Sequence, residues 1–459
     1  MVDLSGRIAV LGLGRSGTAA VQWALARPGR DAAGVVVFVE DDTPKLREAA
    51  AALRAGGVRV VLGADRVPDE GFAVVVASPG IAPHRPLMIS ACSLGIPVIS
   101  ELELAYLVAQ APIVAVTGTN GKTTVTSLVT HLLRTAGMNA VSAGNIGVPA
   151  LDAAREVGPR GVIVAECSSF QLALTFDFHP RVAVLLNVTP DHIDWHGSME
   201  AYAADKARVF ANLDAGDVAV VDIDDPGSAV WAETVSGRGI PVVRVGRDAP
   251  TGARVSDGVL VVDLGAGDIE LVATGELLIK GTHNISNALA ASAAALAAGA
   301  NAEAVRAGLR TFAPIEHRLE PVGTVDGVSF VNDSKATNPD AVLKALTAFD
   351  DRPLIVLLGG RNKGNDFTEL AGACGARCKL AVLYGEARPE LEVAFRATGA
   401  PFAVATDMLQ ALEVARSQAL SGDVVLLSPA CASFDGFANY EERGRAFAGA
   451  VARLGGAPS

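Results

Sequence analysis

Two hydrophobic periods take turns along this chain. Short apolar, largely β-branched runs, such as RIAVL at 7–11, VVVFV at 35–39, AVVVA at 73–77 and IVAV at 113–116, read as strands buried on both faces. Between them lie longer segments whose apolar residues recur every three or four positions, the signature of amphipathic helices. The same alternation restarts near 112, with strands at 113–116, 161–165 and 181–186, and again near 314, with strands at 328–331, 354–358, 381–384 and 424–427. In the third set Asp326-Gly327 marks a two-residue hairpin turn. The segment 199–213 reads as a helix, 218–280 as rich in strands and turns, and the alanine-rich run 288–300 as a buried helix too short to span a membrane. The pattern predicts an α/β chain of three units, with domains at 1–109, 110–313 and 314–459.

Composition agrees with that division and removes some functions. At 459 residues the chain exceeds one ordinary core, and 50% hydrophobic with 19% charged residues is the profile of a compact soluble protein. A net charge of −12 argues against nucleic acid or an anionic membrane as partner, so any anionic ligand must be held by local cations and backbone amides. Five cysteines without CxxC spacing indicate neither a disulfide framework nor zinc. The start MVDLSGRIAVLGLG is short and broken by glycine, unlike a signal peptide, so a reduced cytoplasmic setting is expected.

The chemistry gathers where strands end. After 113–116 comes Thr117-Gly118-Thr119-Asn120-Gly121, and Lys122-Thr123-Thr124 then opens a helix. Strand, glycine loop and helix form the context of a phosphate-binding loop, in which amides and the helix N-terminus meet phosphate oxygens. Lys122 would reach the outer phosphates and Thr123 would coordinate Mg²⁺. The strict pattern needs a glycine where Val116 stands, so TGTNGKT is a variant loop, and a plain βα turn with a surface lysine is the alternative. Glu166 and His192 follow two further strands of this unit and are candidate Mg²⁺ ligands, although a strand-end Glu is often only a helix cap. Lys206 reads from spacing alone as an ordinary solvated lysine. Asn284 and Asn287, at the start of the alanine-rich helix, suit either an N-cap or a contact to a base or phosphate. In the first unit, GLGRSG at 12–17 is a literal GxGxxG, with Glu40-Asp41 and Ser78-Pro79-Gly80 at later strand ends. A phosphorylated ligand, a nicotinamide or flavin cofactor, and purely structural glycines all remain open there.

In chain order, TGTNGKTT, ECSSFQL, NVTPDHIDWH, YAADKARVF, GTHNISNALAA, HRLE, NDSKATNPDA, LLGGRNKG and SPACASFDGFANYEERG together resemble the Mur ligase family along essentially the whole chain. The last segment and NDSKATN resemble in particular those members that add D-glutamate to UDP-N-acetylmuramoyl-L-alanine. The resemblance implies a monomeric, ATP- and Mg²⁺-dependent amide ligase of cytoplasmic peptidoglycan-precursor synthesis. It implies a Rossmann-like UDP-binding domain, a central P-loop ATPase-type domain with a mostly parallel sheet, and a Rossmann-like C-terminal domain. By the same resemblance Gly118, Thr119, Asn120, Gly121, Lys122, Thr123 and Thr124 hold the ATP phosphates. Asn284 and Asn287 meet the adenine side, Arg318 the phosphates and Asp333 the ribose. Thr123, Glu166, His192 and a carbamylated Lys206 serve two metal sites, and Lys122, Glu166, His192 and Lys206 carry catalysis. Gly14, Arg15, Ser16, Glu40, Asp41, Ser78, Gly80, Asn145 and His192 face the UDP-substrate, which favours uridine diphosphate over NAD at the first glycine loop. Lys335, Thr337, Lys363, Ser433, Phe434 and Tyr440 face D-glutamate. Phe434 and Tyr440 depart from the Leu and Phe common in the family.

Overall fold

The structure, a computed structural model, describes residues 2–27, 32–349 and 352–455. Its strands form three sheets. Arg7–Leu11 (β1), Val35–Val39 (β2), Arg59–Leu62 (β3), Phe72–Ala77 (β4) and Val98–Ser100 (β5) make a five-stranded parallel sheet in the order β3-β2-β1-β4-β5. The VVVFV run is buried at every position, as its unbroken hydrophobicity requires.

The second sheet contains Ile113–Thr117 (β6), Ala140–Gly144 (β7), Val162–Glu166 (β8), Val182–Leu185 (β9), Val218–Asp222 (β10), Val242–Val245 (β11), Ala253–Ser256 (β12), Val259–Asp263 (β13) and Asp268–Ala273 (β14). Its nine strands run in the order β14-β13-β12-β11-β10-β9-β6-β8-β7. Pairing is parallel up to β12 and antiparallel across β12-β13-β14, which accounts for the turn-rich stretch after residue 218. The loop strand β6 lies between β9 and β8, so the loop that follows it is flanked by two other strand ends.

The third sheet holds Glu320–Val325 (β15), Val328–Asn332 (β16), Leu354–Gly359 (β17), Cys378–Tyr384 (β18), Phe402–Val404 (β19) and Val424–Ala430 (β20). The order is β15-β16-β20-β17-β18-β19, parallel except for the β15-β16 hairpin. That hairpin turns through Asp326 (φ 52°) and Gly327 (φ 78°), both left-handed as a type I′ turn demands. By packing, the chain divides into two compact units: Met1–Glu276 with Ser286–Thr311, and Leu277–Ile285 with Phe312–Ser459. The first two sheets belong to one unit, where a continuous core runs from Val10 and Val37 to Ala115 and Ala183.

One helix in that unit ties the first sheet to the second. Helix Glu101–Val108 follows β5 and is capped by the Ser100 hydroxyl, which accepts from Glu103 N at 3.2 Å. The buried Glu103 carboxylate accepts the amides of Phe176, Asp177 and Phe178 at 3.0, 2.7 and 3.0 Å. Glu101 accepts from Leu151 N at 2.6 Å, at the start of helix Ala150–Glu156.

The alanine-rich segment is a helix, Thr282–Ala297, with Ala288 through Ala291 buried. It begins two residues before Asn284, so neither Asn284 nor Asn287 is its N-cap. Among the described residues no helix is long and apolar enough to cross a membrane.

Candidate active site

The loop after β6 exists in its shape because two of its residues lack side chains. Gly118 has φ 153° and Gly121 φ 85°. A Cβ on Gly121 would lie 2.5 Å from Asn287 Oδ1, and one on Gly118 would lie 3.0 Å from Leu186 Cβ. Asn187, at the end of the neighbouring strand, clasps the loop: its Oδ1 accepts from Asn120 N at 2.8 Å and its Nδ2 donates to Asn120 O at 3.1 Å. Thr119 N donates to Asn187 O at 2.9 Å, and Thr119 Oγ1 lies 3.0 Å from Tyr202 OH. Lys122 Nζ folds back onto the carbonyls of Gly118 and Thr119 at 2.7 and 2.8 Å. The ammonium is thus held over the loop where phosphate oxygens would converge.

Glu166 closes the floor of this loop. It is 1% exposed, accepts from Thr123 Oγ1 at 2.8 Å on one oxygen and from Asn145 Nδ2 at 2.8 Å on the other. One carboxylate therefore joins the phosphate loop to the Gly144-Asn145 turn. A hydroxyl and a carboxylate at the head of a helix form the hard-oxygen donor set that suits Mg²⁺.

Lys206 is no solvated lysine: it is 1% exposed, and its Nζ donates to Gly118 O at 2.8 Å. The ammonium sits 4.5 Å from the centre of the Tyr202 ring, one helical turn away. Burial, reinforced by the nearby charge of Lys122, holds its pKa well below the usual lysine range. His192 takes a left-handed backbone (φ 54°) at the head of helix Ile193–His196 and packs edge-on against Phe170 at 4.7 Å, with Asp191 Oδ2 3.6 Å from its Nε2.

The first glycine loop is equally constrained. Gly12 has φ 89°, and a Cβ on Gly17 would lie 2.1 Å from Gly12 O, so strand and helix meet only through glycine. Gly14 opens onto empty space and Ser16 follows it on the helix. Ser78 Oγ, beside Gly12, is buried without a hydrogen-bond partner, and exposed Gly80 ends the same strand-end turn. Arg15 donates to Gly147 O, linking this loop to the turn that carries Asn145. Glu40 is held by Arg85 at 2.7 Å, whereas Asp41 is exposed.

In the other unit, polar side chains crowd the ends of β16, β17 and β20. Asp333 accepts from Ser428 Oγ at 2.7 Å and from Leu319 N at 3.3 Å. Its burial raises the pKa to about 7 against the pull of Ser428 and Arg318. Lys335 Nζ stands 5.2 Å over the Tyr440 ring, and Ser334 Oγ donates to Tyr440 O at 2.9 Å. Ser433 is buried and Thr337 half-buried, while Lys363 is exposed and Phe434 is 60% exposed. Asn284 Nδ2 donates to Lys280 O at 2.7 Å.

Beneath these loops lies Arg443, 1% exposed. Its guanidinium donates to Ser334 Oγ at 2.9 Å, Ser334 O at 2.8 Å, Cys431 O at 3.2 Å and Gly359 O at 3.5 Å, so that one side chain ties three strand ends together. Sequence reasoning assigned no role to Arg443, Asn187 or Tyr202. Each carried a signal nonetheless: Arg443 falls in the SPACASFDGFANYEERG segment, Asn187 stands at a strand end beside the phosphate loop, and Tyr202 lies four residues before Lys206, on the same helix face.

Comparison with known proteins gives these groups a context. Residues 116–295 match the Mur ligase middle domain, and residues 317–431 match the Mur ligase glutamate ligase domain. The chain is 43% identical over 444 residues to the UDP-N-acetylmuramoylalanine–D-glutamate ligase of Pelotomaculum thermopropionicum, covering 96% of each chain. It is 39% identical to the enzyme of the same name from Streptococcus mutans, again over 96% of each. The solved UDP-N-acetylmuramate-alanine ligase of Thermotoga maritima is similar in fold, with a TM-score of 0.59 at 20% identity, covering 98% of this chain and 99% of that one.

Proposed function

Because the chain belongs to the Mur ligase family, we propose that it joins D-glutamate to UDP-N-acetylmuramoyl-L-alanine at the expense of ATP, releasing ADP and phosphate, in peptidoglycan-precursor synthesis. The observation that carries the reading is Glu166, which grips Thr123 of the phosphate loop and Asn145 of the adjoining turn at 2.8 Å each. The choice of D-glutamate rests on the full-length likeness to ligases of that name.

A carboxylate and an amine do not condense in water, because oxide is not a leaving group. Transfer of the γ-phosphoryl group of ATP to the alanine carboxylate makes an acyl phosphate. The amine of D-glutamate attacks its carbonyl carbon, a tetrahedral intermediate forms, and phosphate departs as the amide closes. The protein's part is to align the reactants and offset negative charge.

We assign Gly118 to Thr124 to the ATP phosphates, with Lys122 on the outer ones, Asn284 and Asn287 to the adenine, Arg318 to the phosphates and Asp333 to the ribose. Thr123, Glu166, His192 and Lys206 are the candidates for holding Mg²⁺, which when bound would neutralise phosphate charge. A buried neutral amine at Lys206 is suited to carbamylation: its nitrogen bonds to the carbon of CO₂, one proton leaves, and a carbamate anion replaces a costly cation. Gly14, Arg15, Ser16, Ser78, Gly80 and Asn145 are assigned to the UDP-substrate. Asp41 is the better-placed acid for its ribose, since Glu40 is engaged by Arg85. Lys335, Thr337, Lys363, Ser433, Phe434 and Tyr440 are assigned to D-glutamate, whose two carboxylates call for cations and hydroxyls. The domains 1–109, 110–313 and 314–459 would then bind UDP-substrate, ATP and amino acid in turn.

Phosphate release tests the reading. ATP, Mg²⁺ and UDP-N-acetylmuramoyl-L-alanine are supplied, and D-glutamate, L-glutamate, glycine or meso-diaminopimelate is added in turn. Release that requires D-glutamate is expected. Dependence on another amino acid would overturn the substrate assignment, and release indifferent to all of them would overturn the ligase.

A further inference from the structure

We propose that His196 is a positioning residue, the brace that fixes the Lys206 helix against the segment carrying Glu166. The proposal rests on the ligase reading above, and it concerns a histidine to which that reading gives no part. His196 ends the short helix Ile193–His196, yet its side chain is 0% exposed. Its Nδ1 lies 2.7 Å from Asp205 Oδ2 and its Nε2 lies 3.0 Å from Ser169 Oγ. A carboxylate only accepts, so Nδ1 is the donor to Asp205, and the rotatable Ser169 hydroxyl completes the ring's other side.

The placement of these two partners gives the brace its meaning. Asp205 immediately precedes Lys206 on helix Met199–Ala207. Ser169 begins helix Ser169–Leu172, three residues beyond Glu166 at the end of β8. One imidazole thus spans the two segments that present Lys206 and Glu166. Its faces are packed as well: Phe170 stacks on it at 5.4 Å with planes 11° apart, and Tyr202 meets it at 5.1 Å. Tyr202 in turn reaches Thr119 of the phosphate loop with its hydroxyl and lies beneath Lys206 Nζ with its ring. Loop, lysine and acid share one scaffold, with His196 at its centre.

Serine, histidine and aspartate in this order are also the parts of a hydrolytic triad. Ser169 is 3% exposed and faces the interior, where no acyl group could reach it, so the geometry points to support and not to nucleophilic attack. A histidine that merely filled the core would, when replaced, lower stability and nothing else. A brace predicts a separate loss, in the grip on Mg²⁺ and in carbamate formation at Lys206.

The test uses the full-length protein with His196→Gln, Ser169→Ala, Asp205→Ala and Asp205→Asn. Three quantities are read: the Mg²⁺ concentration giving half-maximal D-glutamate-dependent phosphate release, the carbamate resonance after equilibration with ¹³C-bicarbonate in the absence of ATP, and the melting temperature. His196→Gln, Ser169→Ala and Asp205→Ala should raise the half-saturating Mg²⁺ by about tenfold and weaken the carbamate resonance. Asp205→Asn, which keeps an acceptor for Nδ1, should restore both toward wild type. An unchanged Mg²⁺ response and carbamate signal in Ser169→Ala and Asp205→Ala would overturn the proposal, whatever the melting temperature does. If His196→Gln fails to fold, those two variants decide by the same readings. A wild-type enzyme without D-glutamate-dependent release would instead overturn the ligase reading itself.

Discussion

Lys206 and Gly121 carry the sharpest expectations at the scale of single residues. Spacing alone placed Lys206 among solvated lysines, even though its neighbours in sequence are mostly small and apolar. The Gly118 carbonyl that accepts from it lies 88 residues away in sequence, a contact no local pattern reveals, while the Tyr202 ring stands one helical turn before it. Lys206→Ala should lower ligation roughly 10²–10³-fold, with partial recovery on adding formate or acetate, measured as phosphate release. Full activity of that variant without added carboxylate would remove the carbamate from the mechanism. Gly121 was legible as part of the loop, but its reason is three-dimensional: Asn287 Oδ1 occupies the space a methyl would need. Gly121→Ala combines that clash with a left-handed backbone and should cost about 1–3 kcal/mol in urea unfolding, with loss of ATP binding.

Among the elements, helix Glu101–Val108 shows how buried acids can act as joints. Glu101 Oε1 accepts from Leu151 N, while Oε2 is buried with no partner, and burial raises its pKa to about 7. The folded-state pKa lies above the ordinary 4.5, so the stabilising protonated form is complete below that value and is lost as pH rises through 7. Wild type should therefore lose on the order of 3 kcal/mol relative to Glu101→Gln between those limits, seen by comparing urea midpoints of the two proteins across pH. A parallel course for both would contradict it. Nothing in ELELAYLV marks its two acids as joints. By contrast, the β15-β16 hairpin and the β6 loop were legible to within a residue or two, because Asp-Gly and TGTNGKT encode their own backbone shapes.

For the molecule as a whole, the three alternating sets of runs correspond to three sheets, since buried parallel strands announce themselves by unbroken hydrophobicity. The antiparallel β12-β13-β14 edge was less legible: half-buried strands dilute that signal with polar positions. Mg²⁺-ATP at about a hundred times its dissociation constant should stabilise the chain by about 2.7 kcal/mol, read as a rise in melting temperature. Lys122→Ala should abolish both that rise and phosphate release. Arg443 bears on a different property. Its guanidinium joins Ser334, Gly359 and Cys431, at the ends of three different strands, and so ties those segments to one another. On the proposed assignment of D-glutamate to these loops, their conformational freedom should already be reduced before the amino acid arrives. Recognition there is then a matter of fitting a rigid mould: capture should be limited by encounter rather than by loop rearrangement, and the loops should superimpose between empty and filled states.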